Sequence, residues 1–148
     1  MDRKGEGEPY ELLEHAGDAY IAAHGTTFEN ALENAAKAMF DIMTDINAIK
    51  PEIRDEFTVE AEDEVELLHE WLNKLLITFD IEGKLYSEFK VKEIRKLDGK
   101  LLLKAEAYGE PFNPSRHPSK VEIKAVTYHK MDVERQDGGV TVRFILDL

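Results

Sequence analysis

The sequence predicts a two-layer α+β fold, with two helices packed on one face of a largely antiparallel or mixed sheet. Two segments repeat apolar residues at helical spacing, and extended segments crowd the second half of the chain around tight-turn signals. Hydrophobic residues make up 43% of 148 positions, enough to bury one core. Residues 1–148 are therefore read as a single domain, with the glycine- and charge-rich residues 1–8 as a mobile lead.

Residues 10–14 and 19–23 read as short extended segments, interrupted by His15, Ala16, Gly17 and Asp18. From 25 to 45, Phe28, Ala31, Leu32, Ala35, Met39, Ile42 and Met43 recur three and four apart, which predicts a helix with one apolar face. Thr26 with Glu29 is the expected capping box, and Pro51 follows the stop. Phe57, Val59 and Ala61 alternate with polar residues, as in a strand with one buried face.

Acidic residues 62–64 open a second helix, where the dipole favours negative charge. Its expected stripe is Val65, Leu68, Leu72, Leu75, Leu76 and Phe79, with Leu67 and Trp71 beside it and Gly83 as the stop. Asp98-Gly99 predicts a two-residue hairpin turn between residues 85–97 and 100–108, and residues 136–139 a second turn between 121–135 and 140–148. The three prolines of residues 109–120 predict a long, stiff loop between the hairpins.

Composition narrows function. Without cysteine there is no disulfide, thiolate ligand or thiol nucleophile. A net charge of -12 repels a phosphate backbone, so direct nucleic-acid binding by the protein alone is not expected. The first ten residues hold no apolar leader, and no run is long enough to span a membrane, so a soluble, cytoplasmic protein is expected. Charged residues reach 34% with a single glutamine, a composition of heat-adapted proteins; it predicts melting above the mesophile range of about 45–65 °C.

No phosphate-binding glycine loop, nucleophile elbow or HExxH pair occurs. His69 and His129 read as packed or half-exposed structural residues rather than ligands. His15 and Asp18 stand where the chain must bend, and loop tips held by a sheet can present ligands rigidly. Asp41 and Asp45 sit at the end of the first helix, where the dipole disfavours anions; a nearby cation or partner lysine would compensate. Asp147 and the α-carboxylate of Leu148 lie within one residue of each other, hard oxygen ligands suited to Ca²⁺, Mg²⁺ or Mn²⁺. Arg116, His117 and Lys120 concentrate basic side chains on the proline loop of an acidic protein, a candidate partner contact.

The strings EHAGDAYIAAHG (14–25), TTFENALENAAKAMFDIMTD (26–45), WLNKLL (71–76), AYGEPF (107–112), KAVTYHKM (124–131) and the terminal ILDL together resemble the archease family. That resemblance implies a two-layer α+β accessory protein, not itself an enzyme, that activates an RtcB-type RNA ligase in tRNA splicing and RNA repair. It implies promotion of GTP-dependent guanylylation and multiple turnover, and a divalent-metal site formed here by Asp18, Asp147 and Leu148, with His15 a neighbour at most. Leu148 can ligate only through main-chain oxygens. This sequence has Ala16-Gly17 where many relatives have threonine and alanine, and Tyr20 where glycine is frequent. The resemblance also implies an alternative, a chaperone-like modulator of a tRNA methyltransferase.

Overall fold

The computed structural model describes residues 8–148 except Ala16 and the side chains of Glu14 and His15. The chain runs β1 (Tyr10–His15), β2 (Asp18–Gly25), α1 (Phe28–Met43), a short 3-10 turn (Ile46–Ala48), β3 (Ile53–Ala61), α2 (Glu64–Glu82), β4 (Lys84–Leu97), β5 (Lys100–Pro111), β6 (Ala125–Gln136) and β7 (Gly139–Asp147). The expected mobile lead, residues 1–8, lies outside the described residues apart from Glu8.

The α+β class and the two helices are as expected, but the strands form two sheets rather than one. One has the order β1-β2-β7-β6, the other β3-β5-β4, and every pairing among the described residues is antiparallel. Both helices bridge them: α1 packs on β2, β7 and β4, and α2 on β6 and β3. The core between them is aromatic at its centre, where Phe40, Phe57, Trp71, Tyr86 and Phe89 meet edge-on or offset with centroids 5.7 to 6.4 Å apart.

Two local expectations need correction. Helix α1 starts at Phe28, not Gly25, and its N-cap is Thr27, whose hydroxyl accepts from the Asn30 amide; Asn30 in turn accepts from the Thr26 N–H. Leu67 and Trp71, expected beside the stripe on a wide apolar face, are wholly buried with it. α2 faces strands of both sheets, so a wide arc of its surface is covered, and the Trp71 indole N–H donates to the Leu32 carbonyl at 2.9 Å across the helix pair. Strand β5 runs on to Pro111, and β6 begins only at Ala125, which leaves 112–124 as the connection.

Turn chemistry matched its signals. Asp98 and Gly99 adopt φ of 53° and 79°, as a two-residue hairpin turn requires, and Gly83 caps α2 in the left-handed region. Among the described residues no helix is long and apolar enough to cross a membrane.

Candidate functional site

The antiparallel register of β2 on β7 starts with Asp18 directly opposite Asp147. On its other side Asp147 faces Ala125 of β6, so β7 presents this carboxylate from the middle of a three-strand rung. Directly opposed residues of an antiparallel pair hold their Cβ atoms about 4.5–5.5 Å apart, and like charges so placed destabilise the sheet. Both side chains are exposed. The Asp147 carbonyl accepts from the Lys124 N–H at 2.7 Å, which ties the end of β7 to the incoming connection and leaves the side-chain carboxylate to project freely from it. Leu148 follows, with its side chain packed against the core and its main-chain oxygens next to the pair.

This donor set fits a hard divalent cation: two carboxylates brought face to face by strand register, plus the adjacent oxygens of Leu148. Among the described residues no group of three or more His, Asp and Glu side chains could hold a metal. A cation here would thus complete its shell with main-chain oxygens and water, as Mg²⁺ and Ca²⁺ commonly do. The side chain of His15, the expected neighbour, lies outside the described residues.

Two rungs further along the same face, Tyr20 stands opposite Ile145 and carries the Lys130 ammonium 5.6 Å from its ring centre. Lys130 reaches it because β6 bulges between Thr127 and Asp132, where Lys130 itself takes φ of 57°. His69 is packed, as expected: it bonds the Val126 carbonyl at 3.0 Å and stacks on Tyr128 at 3.8 Å.

The family is decided over this same stretch of chain. Residues 10–148 match the Archease protein family (MTH1598/TM1083). The chain belongs to the archease family. Similar members include the archease of Methanopyrus kandleri, 45% identical over 140 residues that cover 95% of this chain and 99% of that protein. The archease of Pyrococcus furiosus is 42% identical, covering 88% and 91%. Protein 1598 of Methanobacterium thermoautotrophicum, solved in solution, superposes with a TM-score of 0.81 at 35% identity, over 95% of this chain and 99% of that one. An archease of Thermotoga maritima, described as a possible chaperone, shares the fold at a TM-score of 0.57 and 17% identity, covering 93% and 96%.

The remaining sequence candidates fall elsewhere. Asp41 accepts from the Tyr10 hydroxyl and the Ile46 amide, both at 3.1 Å, with the Lys120 ammonium 3.9 Å away. Burial first, then the Asp41 charge, pushes the Tyr10 hydroxyl pKa up. Asp45 caps the 3-10 turn by accepting from the Asn47 amide. Of the two expected sources of compensation, a nearby cation or a partner lysine, Asp41 has the first, Lys120 of its own chain. His117, expected at a partner surface, is a correction: its side chain is fully buried.

Beside His117 lies a second buried polar residue, Glu110. Its carboxylate accepts from the His117 Nε2–H at 2.8 Å, the Lys50 amide at 2.8 Å and the Arg116 guanidinium, while His117 Nδ1 accepts from the Asn113 amide. Burial alone would raise the Glu110 pKa; the donors outweigh it and hold the carboxyl down at about 2. Only Arg116 and Lys120 of the expected basic set reach solvent, and Arg116 is engaged with Glu110. No local pattern in the sequence marks Glu110 as a buried acid, because its donors come from residues 50, 116 and 117.

Proposed function

We propose that this chain acts in the cytoplasm as a non-catalytic accessory protein that activates an RtcB-type RNA ligase in tRNA splicing and RNA repair, through a divalent-cation site at Asp18, Asp147 and Leu148. The observation that carries the reading is the register pair Asp18–Asp147, two exposed carboxylates opposed on one rung at a cost that a cation would relieve. A bound divalent cation would supply charge neutralisation to a transferring phosphoryl group. The chain's own contribution is to hold the two carboxylates on central, well-paired strands and to anchor the end of β7 through the Lys124 amide. Membership of the archease family supports the accessory role, and the description of the Thermotoga archease as a possible chaperone is consistent with a protein partner.

The test is GTP-dependent ligation by a cognate RtcB-type ligase with RNA in excess. Repeated turnover with the wild type, and its loss by tenfold or more with Asp147→Ala at unchanged melting temperature, is the expected result. Equal stimulation by both proteins overturns the cation site; no stimulation by either overturns ligase activation.

A further inference from the structure

Among the described residues the two sheets end in four edge strands, β1, β6, β4 and β3, and the first three are blunted. β1 shifts register between Leu12 and Glu14. β6 bulges between Thr127 and Asp132, and its Val126 carbonyl accepts from His69. β4 breaks register twice, lies against α1, and gives its Val91 N–H to the Glu33 carboxylate of that helix at 2.8 Å. Each device bends the edge or uses up its polar groups, and so hinders another strand from adding to it.

β3 has none of them. Its nine residues pair with β5 in unbroken register, from Ile53 opposite Gly109 to Ala61 opposite Leu101, and no other segment among the described residues bonds its main chain. In an antiparallel ladder successive residues turn their N–H and C=O groups to opposite sides, so every second residue of β3 offers both groups away from β5. The strand holds no proline or glycine that would interrupt a new ladder.

The side chains decide which strand suits this edge. Phe57, Val59 and Ala61 face the core, while Arg54, Glu56, Thr58 and Glu60 are exposed on the other face. A second β3 laid antiparallel about Phe57 overlaps all nine residues and sets Arg54 opposite Glu60 and Glu56 opposite Thr58, each pair twice about the two-fold axis. A slip of two residues one way sets Glu56 against Glu56, and the other way Glu56 against Glu60; like charges directly opposite are destabilising. A slip of one sets core-facing residues against solvent-facing ones. The strand is therefore complementary to itself in one register. There Ile53, 39% exposed, also comes opposite the apolar Ala61.

Arg54 has donors to spare for this. Its Nη1 bonds Glu106 at 2.7 Å and its Nη2 lies 3.3 Å from Glu56, yet the side chain is half-exposed and a guanidinium carries five N–H groups.

We propose that the β3 edge is a self-association surface, at which a second copy of this chain adds its own β3 antiparallel and completes a continuous six-stranded sheet, β4-β5-β3-β3-β5-β4. The inference stands apart from ligase activation, since the Asp18–Asp147 rung belongs to the other sheet and takes no part in the pairing.

The experiment is sedimentation equilibrium of the full chain over a concentration series. The wild type should pass from monomer to dimer as concentration rises. Arg54→Glu and Glu60→Arg should each self-associate about tenfold more weakly, because each sets two pairs of like charges face to face. An equimolar mixture of the two variants should associate as well as the wild type, because every pair across the mixed dimer is then unlike. The chain has no cysteine, so thiols can report the register directly. Glu56→Cys and Thr58→Cys proteins, mixed and mildly oxidised, should form the mixed disulfide in preference to either disulfide with itself. If Arg54→Glu fails to fold through its lost bond to Glu106, this cysteine pair, which leaves Arg54 in place, decides alone. A wild type monomeric at every concentration, a dimer indifferent to both charge reversals, or folded variants that do not associate on mixing would each overturn the proposal. Disulfides formed equally in all three combinations would overturn the register, and with it the complementarity on which the proposal rests.

Discussion

At the Gly25 end of the β2–β7 ladder His24 stands opposite Thr141, and at the other end Asp18 stands opposite Asp147. The backbone treats the two ends alike, with the same antiparallel pairing and the same face of the sheet. The side chains do not. His24 Nδ1 bonds the Thr141 hydroxyl at 2.9 Å and Nε2 bonds Glu11 at 2.9 Å, while Gln136 donates to the same hydroxyl at 3.1 Å. The Glu11 carboxylate can only accept, so Nε2 carries the proton it takes, and in the neutral ring Nδ1 is then the acceptor of the Thr141 hydroxyl proton. At the Asp18 end the sheet instead holds two anions face to face. A strand pair can carry such a rung only because its other rungs supply the stability, and an arrangement that costs the fold is one expected where function is served.

The largest expected effect lies at the His24 end. A Cβ on Gly25 would sit 2.3 Å from the Ala31 backbone nitrogen. Gly25→Ala should therefore cost about 3 kcal/mol in urea unfolding; a change within about 0.5 kcal/mol, that of an ordinary surface substitution, would show that β2 and α1 can part without penalty. Glu110 is the control, a carboxylate given donors instead of a second anion. Glu110→Gln should cost about 2 kcal/mol at neutral pH.

The same residue sets an acid limb. Since its folded pKa of about 2 lies below the ordinary 4.5, its contribution is present above 4.5 and is lost as pH falls toward 2. Wild-type stability measured across that window should drop more steeply than that of Glu110→Gln, and parallel curves would remove Glu110 as the cause. His24→Ala should cost about 1–2 kcal/mol by stranding Thr141 and Glu11, read as a lower melting temperature. The smallest effect has the opposite sign: Asp18→Asn should gain about 0.2–1 kcal/mol at low salt, with the gain shrinking as salt screens the pair. A loss of stability would mean that Asp18 is held by a favourable contact and that the two ends are alike after all.

Much of the fold was legible because its signals are local. Asp98-Gly99 and Gly83 announce positive φ wherever they stand, and α1 shows its buried face by spacing alone. The wide apolar face of α2, Trp71 included, was legible as well, but one helix's periodicity cannot reveal that two sheets cover it. The carboxylates at 18 and 147 were legible as candidate residues, but their opposition was not, since it depends on the register of β2 against β7 across more than a hundred residues. Glu110 escaped, and His117 was read as a surface residue, for the same reason: the Glu110 donors come from separate segments, the Lys50 amide before β3 and the Arg116 and His117 side chains in the connection after β5.

By itself the sequence determined the α+β class, the two helices, the hairpin turns and an acidic, cysteine-free surface, because propensity, periodicity and charge act over a few residues. Only the tertiary structure decided that the strands divide into two sheets, that Asp18 meets Asp147 and that Glu110 is buried among donors. Those outcomes depend on which distant segments meet and in what register, and shifting its strand by one residue would turn Asp18, Asp147 or Glu110 to the opposite face.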